Sequence, residues 1–274
     1  MLAFDFEGHR VELQTQSSTD YIHRHISEYK TFLHINTLRY LRSLGYRGTA
    51  VDVGANIGNQ AIFFARFCAF GRVVAVEGSK EIQKILRDNL RHNPNGACPV
   101  EVIGAFVSSV PELYFNLHHG TQGGRWFLSE VPIGADSVRV STVALDEVCV
   151  GKGRIDLIRI DVEAHELEVL KSGTGTLLRD HPHLCVEVYP GHSDHLCNFL
   201  GDYGYLQVET GTSTTVHFVH VGRVAVKVSR ILMSGPRWMS SRSVRRWRQI
   251  AAKLSIKSRR WRTQGNFLTF VEQG

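Results

Sequence analysis

Ala50-Val51-Asp52-Val53-Gly54-Ala55-Asn56-Ile57-Gly58-Asn59-Gln60 begins as a short apolar run of strand-forming residues, turns on two glycines, and continues into Ala61-Ile62-Phe63-Phe64-Ala65-Arg66-Phe67, which reads as a buried helix. A strand, a tight loop and a helix N-terminus in succession is the place where open α/β sheets hold nucleotide-like ligands.

The loop narrows the ligand. A dinucleotide site prefers Gly-x-Gly-x-x-Gly, which brings backbone up to a pyrophosphate. Here Gly54 and Gly58 are four apart, with Asp52 before them and Asn56 between. An aspartate repels phosphate but suits a ligand carrying a sulfonium, an ammonium and ribose hydroxyls, which is the chemistry of S-adenosyl-L-methionine. Gly54 permits close backbone approach and Gly58 close packing of helix on strand; Asn56 can donate and accept. On the loop alone, a glycine turn with no ligand is the competing reading. About 20 residues on, however, Arg72-Val73-Val74-Ala75-Val76-Glu77 reads as a second strand ending in a carboxylate, the usual acceptor for ribose hydroxyls at that spacing.

Bulk properties limit the rest. A chain of 274 residues fits one large domain, or a domain with an appendage. No run of about 18 apolar residues occurs, so no spanning helix is expected. Nor does Met1–Glu7 pair a basic with an apolar region, so no signal peptide is expected. Five scattered cysteines without a C-x-x-C pair point to buried thiols, not a disulfide framework or zinc site, and to a reducing cytoplasm. The net charge of +6 hides an asymmetry. Of the 32 Lys and Arg residues, 13 fall in residues 210–265, which hold no Asp or Glu; 19 remain elsewhere against 26 acidic residues. An acidic body with one basic segment implies a partner for that segment.

Residues 4–14 alternate weakly and fit one small strand. Thr19-Asp20 starts a helical stretch with an irregular apolar stripe, broken near Asn36 and stopped by Gly45 and Gly48. Ser79 is a helix N-cap with Glu81 in the first turn. Val100–Gly104 is a third strand, with Gly104-Ala105 expected near an adenine ring. Residues 107–142 break the βα rhythm: Leu113–Leu117, a bend at Gly120–Gly124 and Val138–Val143 suggest an antiparallel insertion. Ile155–Asp161 is the fourth core strand, followed by a helix interrupted at Gly173 and Gly175. His183–Pro190 is the fifth, Tyr205–Glu209 another, and Asn266–Val271 the last. Alternating elements predict a mostly parallel sheet covered by helices on both faces.

In such a sheet the ligand lies beyond the carboxyl ends of the strands, which puts Asp52, Glu77, Asp161 and Glu187 along one rim. Hydroxyl attack on a methyl sulfonium depends chiefly on alignment, with a base in hydrogen-bond reach of the proton. Asp161, Glu163, His165 and Glu187 are the catalytic candidates, with His192 a further base. Each also has a plain structural reading, as a helix-start carboxylate or a core histidine. Asp161 and Glu187 alone offer too few oxygen ligands for a dedicated magnesium site, so no metal is expected.

With these residues in place, the chain resembles the FkbM family of S-adenosylmethionine-dependent methyltransferases. The resemblance rests on Val51–Asn59, Val74–Glu77, Ser141–Val148, Ile155–Gly173 and Val186–Pro190, and covers about residues 18–209 plus the last strand. It implies a Rossmann-like class I methyltransferase fold: a seven-stranded, mostly parallel sheet, its last strand antiparallel, with helices on both faces. It also implies methyl transfer, commonly to a hydroxyl of a sugar or secondary metabolite, with Asp52, Gly54, Asn56 and Glu77 at positions that bind the cofactor. Ala55, Gly58, Asn59, Gly78, Gly104, Ala105 and Asp161 complete the candidate cofactor set. Two positions depart from the family pattern: Ala164, followed by His165, stands where Gly follows Asp-x-Glu, and Gly104 stands where Asn often precedes Ala105.

The expected organisation is an N-terminal helical cap (1–48), a Rossmann-like domain (49–210 with 266–274) and a basic Trp/Arg-rich insertion (211–265). In the insertion, Thr215–Val221 and Arg223–Val228 fit a hairpin around Gly222. Trp247, Ile250, Ala251 and Leu254 form one apolar helical stripe amid arginines and lysines. Three readings stay open for residues 223–262: a helix packed on the body, an anionic membrane surface, or nucleic acid. The functional expectation is an O-methyltransferase acting on a hydroxylated acceptor (a saccharide, glycolipid or metabolite), cytoplasmic and peripheral to a membrane if the second reading holds. The alternatives are an RNA methyltransferase, or a catalytically silent module that docks on membrane or RNA.

Overall fold

A computed structural model describes residues 1–94, 96–120, 123–188, 193–208, 215–222, 260–264 and 267–271. The chain divides into two units, Met1–Val219 and His220–Gly274.

In the first unit, all five residues of β3 (Thr49–Val53) are buried, as a strand flanked on both edges and covered on both faces must be. β3 pairs in parallel with β4 (Arg72–Val76) on one side and with β10 (Ile155–Ile160) on the other. β4 continues to β5 (Val100–Ile103), and β10 to β11 (His183–Glu187), again in parallel. Beyond β11 lie β13 (Thr215–His220), antiparallel to it, and β12 (Tyr205–Val208), giving the order β12-β13-β11-β10-β3-β4-β5. From β3 the chain steps outward to β4 and β5, then returns to build the other half from β10. The strand order therefore reverses between β3 and β10, where such sheets open a crevice at their carboxyl ends.

Alternate residues of each strand feed two cores. One face carries Ala50, Val73, Ala75, Leu157 and Cys185 against α2 (Ile35–Ser43), α3 (Asn59–Phe67) and α4 (Lys80–His92). The other carries Val51, Val53, Val74, Ile158 and Val186 against α5 (Leu145–Cys149), α6 (Glu166–Lys171), α7 (Thr174–Asp180) and α8 (Ser193–Asp202). The expected mostly parallel sheet with helices on both faces is what forms.

Two local expectations change and a third gains its boundaries. Residues 4–14 are not one strand but a hairpin, β1 (Leu2–Phe6) and β2 (His9–Leu13), because Glu7 and Gly8 both take positive φ and reverse the chain. The N-terminal helical stretch is two helices, α1 (Tyr21–Tyr29), capped by Asp20, and α2. The antiparallel strand of the large sheet is β13, not residues 266–271. Phe267–Val271 instead pairs with Arg260–Gln264 in a two-stranded hairpin of the second unit. Both segments have strand-forming sequences, and only pairing separates their roles. The expected antiparallel insertion is present as β6 (Phe106–Val107), β7 (Glu112–Gly120), β8 (Gly123–Ser129) and β9 (Val138–Val143), ordered β6-β9-β7-β8. Among the described residues, no helix is long and apolar enough to cross a membrane. The expected helix at 247–254, Tyr189, Pro190 and His192 lie outside the described residues.

Candidate active site

The loop after β3 folds back on both neighbouring strands. The amides of Gly54 and Ala55 both donate to the carbonyl of Val76, at 3.0 and 2.9 Å. Gly54 has φ +76°, and a Cβ there would come within 1.9 Å of the Asp161 carbonyl oxygen. No other residue fits the crossing of β3 and β10. Gly58, at φ +89°, caps α3, and a Cβ on it would meet Leu86 at 2.6 Å. Between them Asn56 also takes positive φ, which Asn tolerates better than most side chains.

Glu77 closes this loop from the end of β4. One carboxylate oxygen accepts from the Asn56 amide at 3.0 Å and the other from the Ser79 amide at 2.9 Å. Burial raises its pKa, and the backbone donors from Ser79 and Asn56 work the other way. A carboxylate has about four lone-pair sites, so each oxygen retains capacity for a ribose hydroxyl. Beside it, the Gln83 amide donates to the carbonyl of Glu77 at 2.9 Å. Gln83 fills the space above Gly104, where a Cβ would come within 2.6 Å of its Oε1. Gly78 leaves the same kind of room for the Phe106 ring. Glycine at 104, where the family often has Asn, leaves room for this Gln83 side chain.

The second half of the site centres on a residue with no sequence signal, Arg159. In the register of β3, β10, β11 and β13, Asp52, Arg159, Cys185 and His217 are successive cross-strand partners. They form one transverse row on the face that carries α2 and α3. The Arg159 side chain is 8% exposed. Its guanidinium donates to Asp52 at 3.1 Å, to the Gly54 carbonyl at 3.4 Å and to Asp161, with Glu187 at 3.9 Å. Burial alone would lower the Arg159 pKa; Asp161, Asp52 and Glu187 outweigh it and keep the guanidinium charged. Asp52 is fully buried, which raises its pKa against the pull of Arg159. Its Oδ2 has no hydrogen-bond partner among the described residues. Three carboxylates about one arginine leave the rim with excess negative charge.

The structure thus brings Asp52, Asp161 and Glu187 together, and gives two other candidates, His165 and Asn59, partners of their own. His165 begins α6 and hydrogen-bonds through Nε2 to the buried Ser108 hydroxyl at 2.9 Å, fastening that turn to the inserted sheet. Burial lowers its pKa. Glu163 and Ala164 take φ +53° and +71° in the same turn. The Asn59 amide group is spent on a backbone neighbour: its Oδ1 accepts from Leu33 N at 3.3 Å and its Nδ2 donates to Leu33 O at 3.4 Å. Its side chain therefore ties α3 to the segment before α2. Sequence reasoning missed Arg159, Gln83 and His34. Arg159 had one signal, a cation inside an otherwise apolar strand. Among the described residues, no group of three or more His, Cys, Asp or Glu side chains is disposed to hold a metal ion.

The family model for the methyltransferase FkbM domain matches residues 52–206. The chain belongs to this FkbM methyltransferase family. Its members are S-adenosylmethionine-dependent methyltransferases, and the residues above fit that cofactor: Glu77 for its ribose, the Gly54–Gly58 turn for close approach, and a rim of negative charge for its cationic end. No curated protein matches the chain. Among solved structures, it is similar to a methyltransferase FkbM from Methylobacillus flagellatus, with 20% identity, a TM-score of 0.47, and coverage of 70% of this chain and 49% of that one. The chain thus spans about half the length of that protein. It is also similar to a methyltransferase from Geobacter sulfurreducens (15% identity, TM-score 0.45, covering 75% of this chain and 90% of that one). A third is M. jannaschii TYW2, solved in complex with AdoMet (13%, 0.39, covering 79% and 82%).

Proposed function

We propose that this methyltransferase acts on a hydroxyl of a neutral acceptor, a saccharide, glycolipid or hydroxylated metabolite. The observation that carries the reading is the charge of the rim, where Asp52, Asp161 and Glu187 surround Arg159, the one buried cation among the described residues. An acceptor presenting carboxylate or phosphate at this rim would meet net negative charge, whereas an alcohol needs only alignment and a proton acceptor.

In this reading Glu77 and Gly78 hold the ribose side of S-adenosylmethionine. Gly54, Ala55, Asn56 and Gly58 supply backbone along it, Gly104 and Ala105 flank the adenine with Gln83, and Asp52 and Asp161 face the sulfonium end. The bound cofactor supplies an electrophilic methyl group. Asp161 and Glu187 orient the acceptor through the fixed guanidinium of Arg159, and Glu163 and His165 shape the turn beside them. The basic segment, residues 223–262, supports docking on an anionic surface, membrane or nucleic acid, through its charge. Free thiols suit a cytoplasmic site of action.

The test is calorimetric titration with S-adenosylmethionine and S-adenosylhomocysteine. Transfer of labelled methyl is then compared between neutral saccharides, carboxylated acceptors and structured RNA. Micromolar cofactor binding with transfer to neutral hydroxyls is expected. Transfer to RNA or carboxylates instead would overturn the acceptor assignment, and absent cofactor binding in a folded sample would overturn the whole reading.

A further inference from the structure

His34 stands between α1 and α2 with φ +59° and ψ +34°, at the N-cap of α2, yet makes no capping hydrogen bond. The left-handed region costs a non-glycine residue about 1–2 kcal/mol, and Ser, Asp or Asn would cap the helix better. The position is therefore not filled for the helix's benefit. Its neighbours impose the conformation. Phe32 is fully buried, with its ring 5.1–5.7 Å from those of Phe4, Phe6, Phe63 and Phe67. Asn59 clasps the backbone of Leu33 at both polar atoms. Anchored on that side, the chain turns the His34 ring onto the rim, where its Nε2 lies 3.8 Å from Glu187 Oε2.

His34 also lines two cavities. One is a small cavity over the sheet, shared with Arg159, Cys185 and Glu187. The other is an open groove along the cap, shared with Tyr21, His25 and Asn36. His34 is thus shared by the groove and by the cavity that Arg159 and Glu187 line. The groove wall is aromatic and polar without a full charge: the rings of Tyr21 and His25 stand 6.5 Å apart, and His25 Nε2 is buried with no hydrogen-bond partner among the described residues.

We propose that His34 is a catalytic residue of the methyl transfer, taking the proton of the acceptor hydroxyl at Nε2, the ring nitrogen that lies beside Glu187. The proposal rests on the hydroxyl-acceptor reading above. The bookkeeping closes: the acceptor oxygen forms a bond to the methyl carbon, and the carbon–sulfur bond breaks with its electron pair left on sulfur. The hydroxyl proton passes to His34, whose new charge faces Glu187. The groups facing the ring are Glu187 and Arg159 from the sheet, Asp161 from the end of β10 and His25 from α1. Burial first, then Arg159, lower the His34 pKa to about 4, against the pull of Asp161. The ring is then neutral at pH 7 and keeps one acceptor nitrogen. A weak base suffices, because an alcohol oxygen becomes strongly acidic as its new bond to carbon forms.

The test compares the full chain with His34→Asn, which tolerates left-handed φ and caps a helix but cannot take the proton. An array of neutral glycans, glycolipids and hydroxylated metabolites is incubated with methyl-labelled S-adenosylmethionine. Wild type should label one of these acceptors and His34→Asn should label it at least about 100-fold less, with S-adenosylhomocysteine affinity unchanged by calorimetry. In parallel, the His34 ring resonance of the S-adenosylhomocysteine complex should shift when that acceptor is added. Labelling by His34→Asn within about threefold of wild type, or an unmoved ring resonance, overturns the role of His34 and leaves the hydroxyl reading standing. If wild type labels no neutral glycan, glycolipid or hydroxylated metabolite, the hydroxyl reading falls and this proposal falls with it.

Discussion

Ala164 holds φ +71° in the turn that follows Asp161, a conformation in which glycine carries no Cβ penalty. The turn survives because Glu166, buried in the first turn of α6, accepts from the Ala164 amide at 3.0 Å, and because His165 is fastened to Ser108. Ala164→Gly relieves about 1–2 kcal/mol of strain and gives back about half of it through the freer unfolded chain. Its urea midpoint should rise by the equivalent of roughly 1 kcal/mol, and a fall would show that the alanine methyl group packs usefully. Glu77 has a different burden, since it holds two loop amides and, in the function proposed above, the cofactor's ribose. Glu77→Ala should weaken S-adenosylhomocysteine binding by at least about tenfold, the worth of one or two hydrogen bonds to a charged group, with the circular dichroism spectrum retained. Unchanged affinity by calorimetry would remove Glu77 from the ribose site. The Glu77 signal was legible in the sequence because its meaning depends on spacing along the chain. The strain at Ala164 was visible only as a departure from a glycine pattern until the backbone angles gave it a cause.

At the scale of elements, β13 places His217 beside His183 of β11. His183 Nε2 and His217 Nδ1 are 2.9 Å apart, both rings are buried, and Tyr40 of α2 packs on both. Burial lowers the His217 pKa to about 4. The folded state therefore resists protonation more than the unfolded state, whose histidine titrates near 6.5. The stabilisation is complete above pH 6.5 and is lost as pH falls through 4, by about 3 kcal/mol at this site. Urea unfolding from pH 7 to pH 4 should show wild type losing that stability and His217→Gln losing much less, so that the gap between them closes by roughly 3 kcal/mol. Parallel curves would mean that His217 is not the titrating group. The alternation of residues 215–220 marks a strand in the sequence, but alternation does not name a partner, and only the fold pairs it with β11. The strands β3, β4, β5, β10 and β11 were legible because each is an apolar run bounded by turn residues or a carboxylate, and buried parallel strands need little else.

For the whole molecule, β13 completes the large sheet by residue 220, before the basic stretch begins. Residues 1–222 should therefore fold without the remainder, with wild-type cofactor affinity by calorimetry and a cooperative thermal transition. A chain of that length that aggregates or fails to bind would show that the sheet depends on residues beyond it. Deleting the basic residues should also abolish retention on anionic vesicles or RNA, whichever the full chain shows, with a salt dependence that follows the number of cations removed.

The sequence alone determined the α/β class, the glycine turn from Asp52 to Gly58, the acid at Glu77 that closes it and the family. These are written in local order, as spacings of a few residues or about 20, and local order sets strand, turn and helix. Tertiary structure alone decided that Asp52 meets Arg159, 107 positions away in the chain, that Asn59 holds Leu33 and that His34 faces Glu187. Those meetings follow from strand register and from how the N-terminal cap packs on the sheet. Both are set by burying two apolar faces at once, and no short stretch of sequence specifies them.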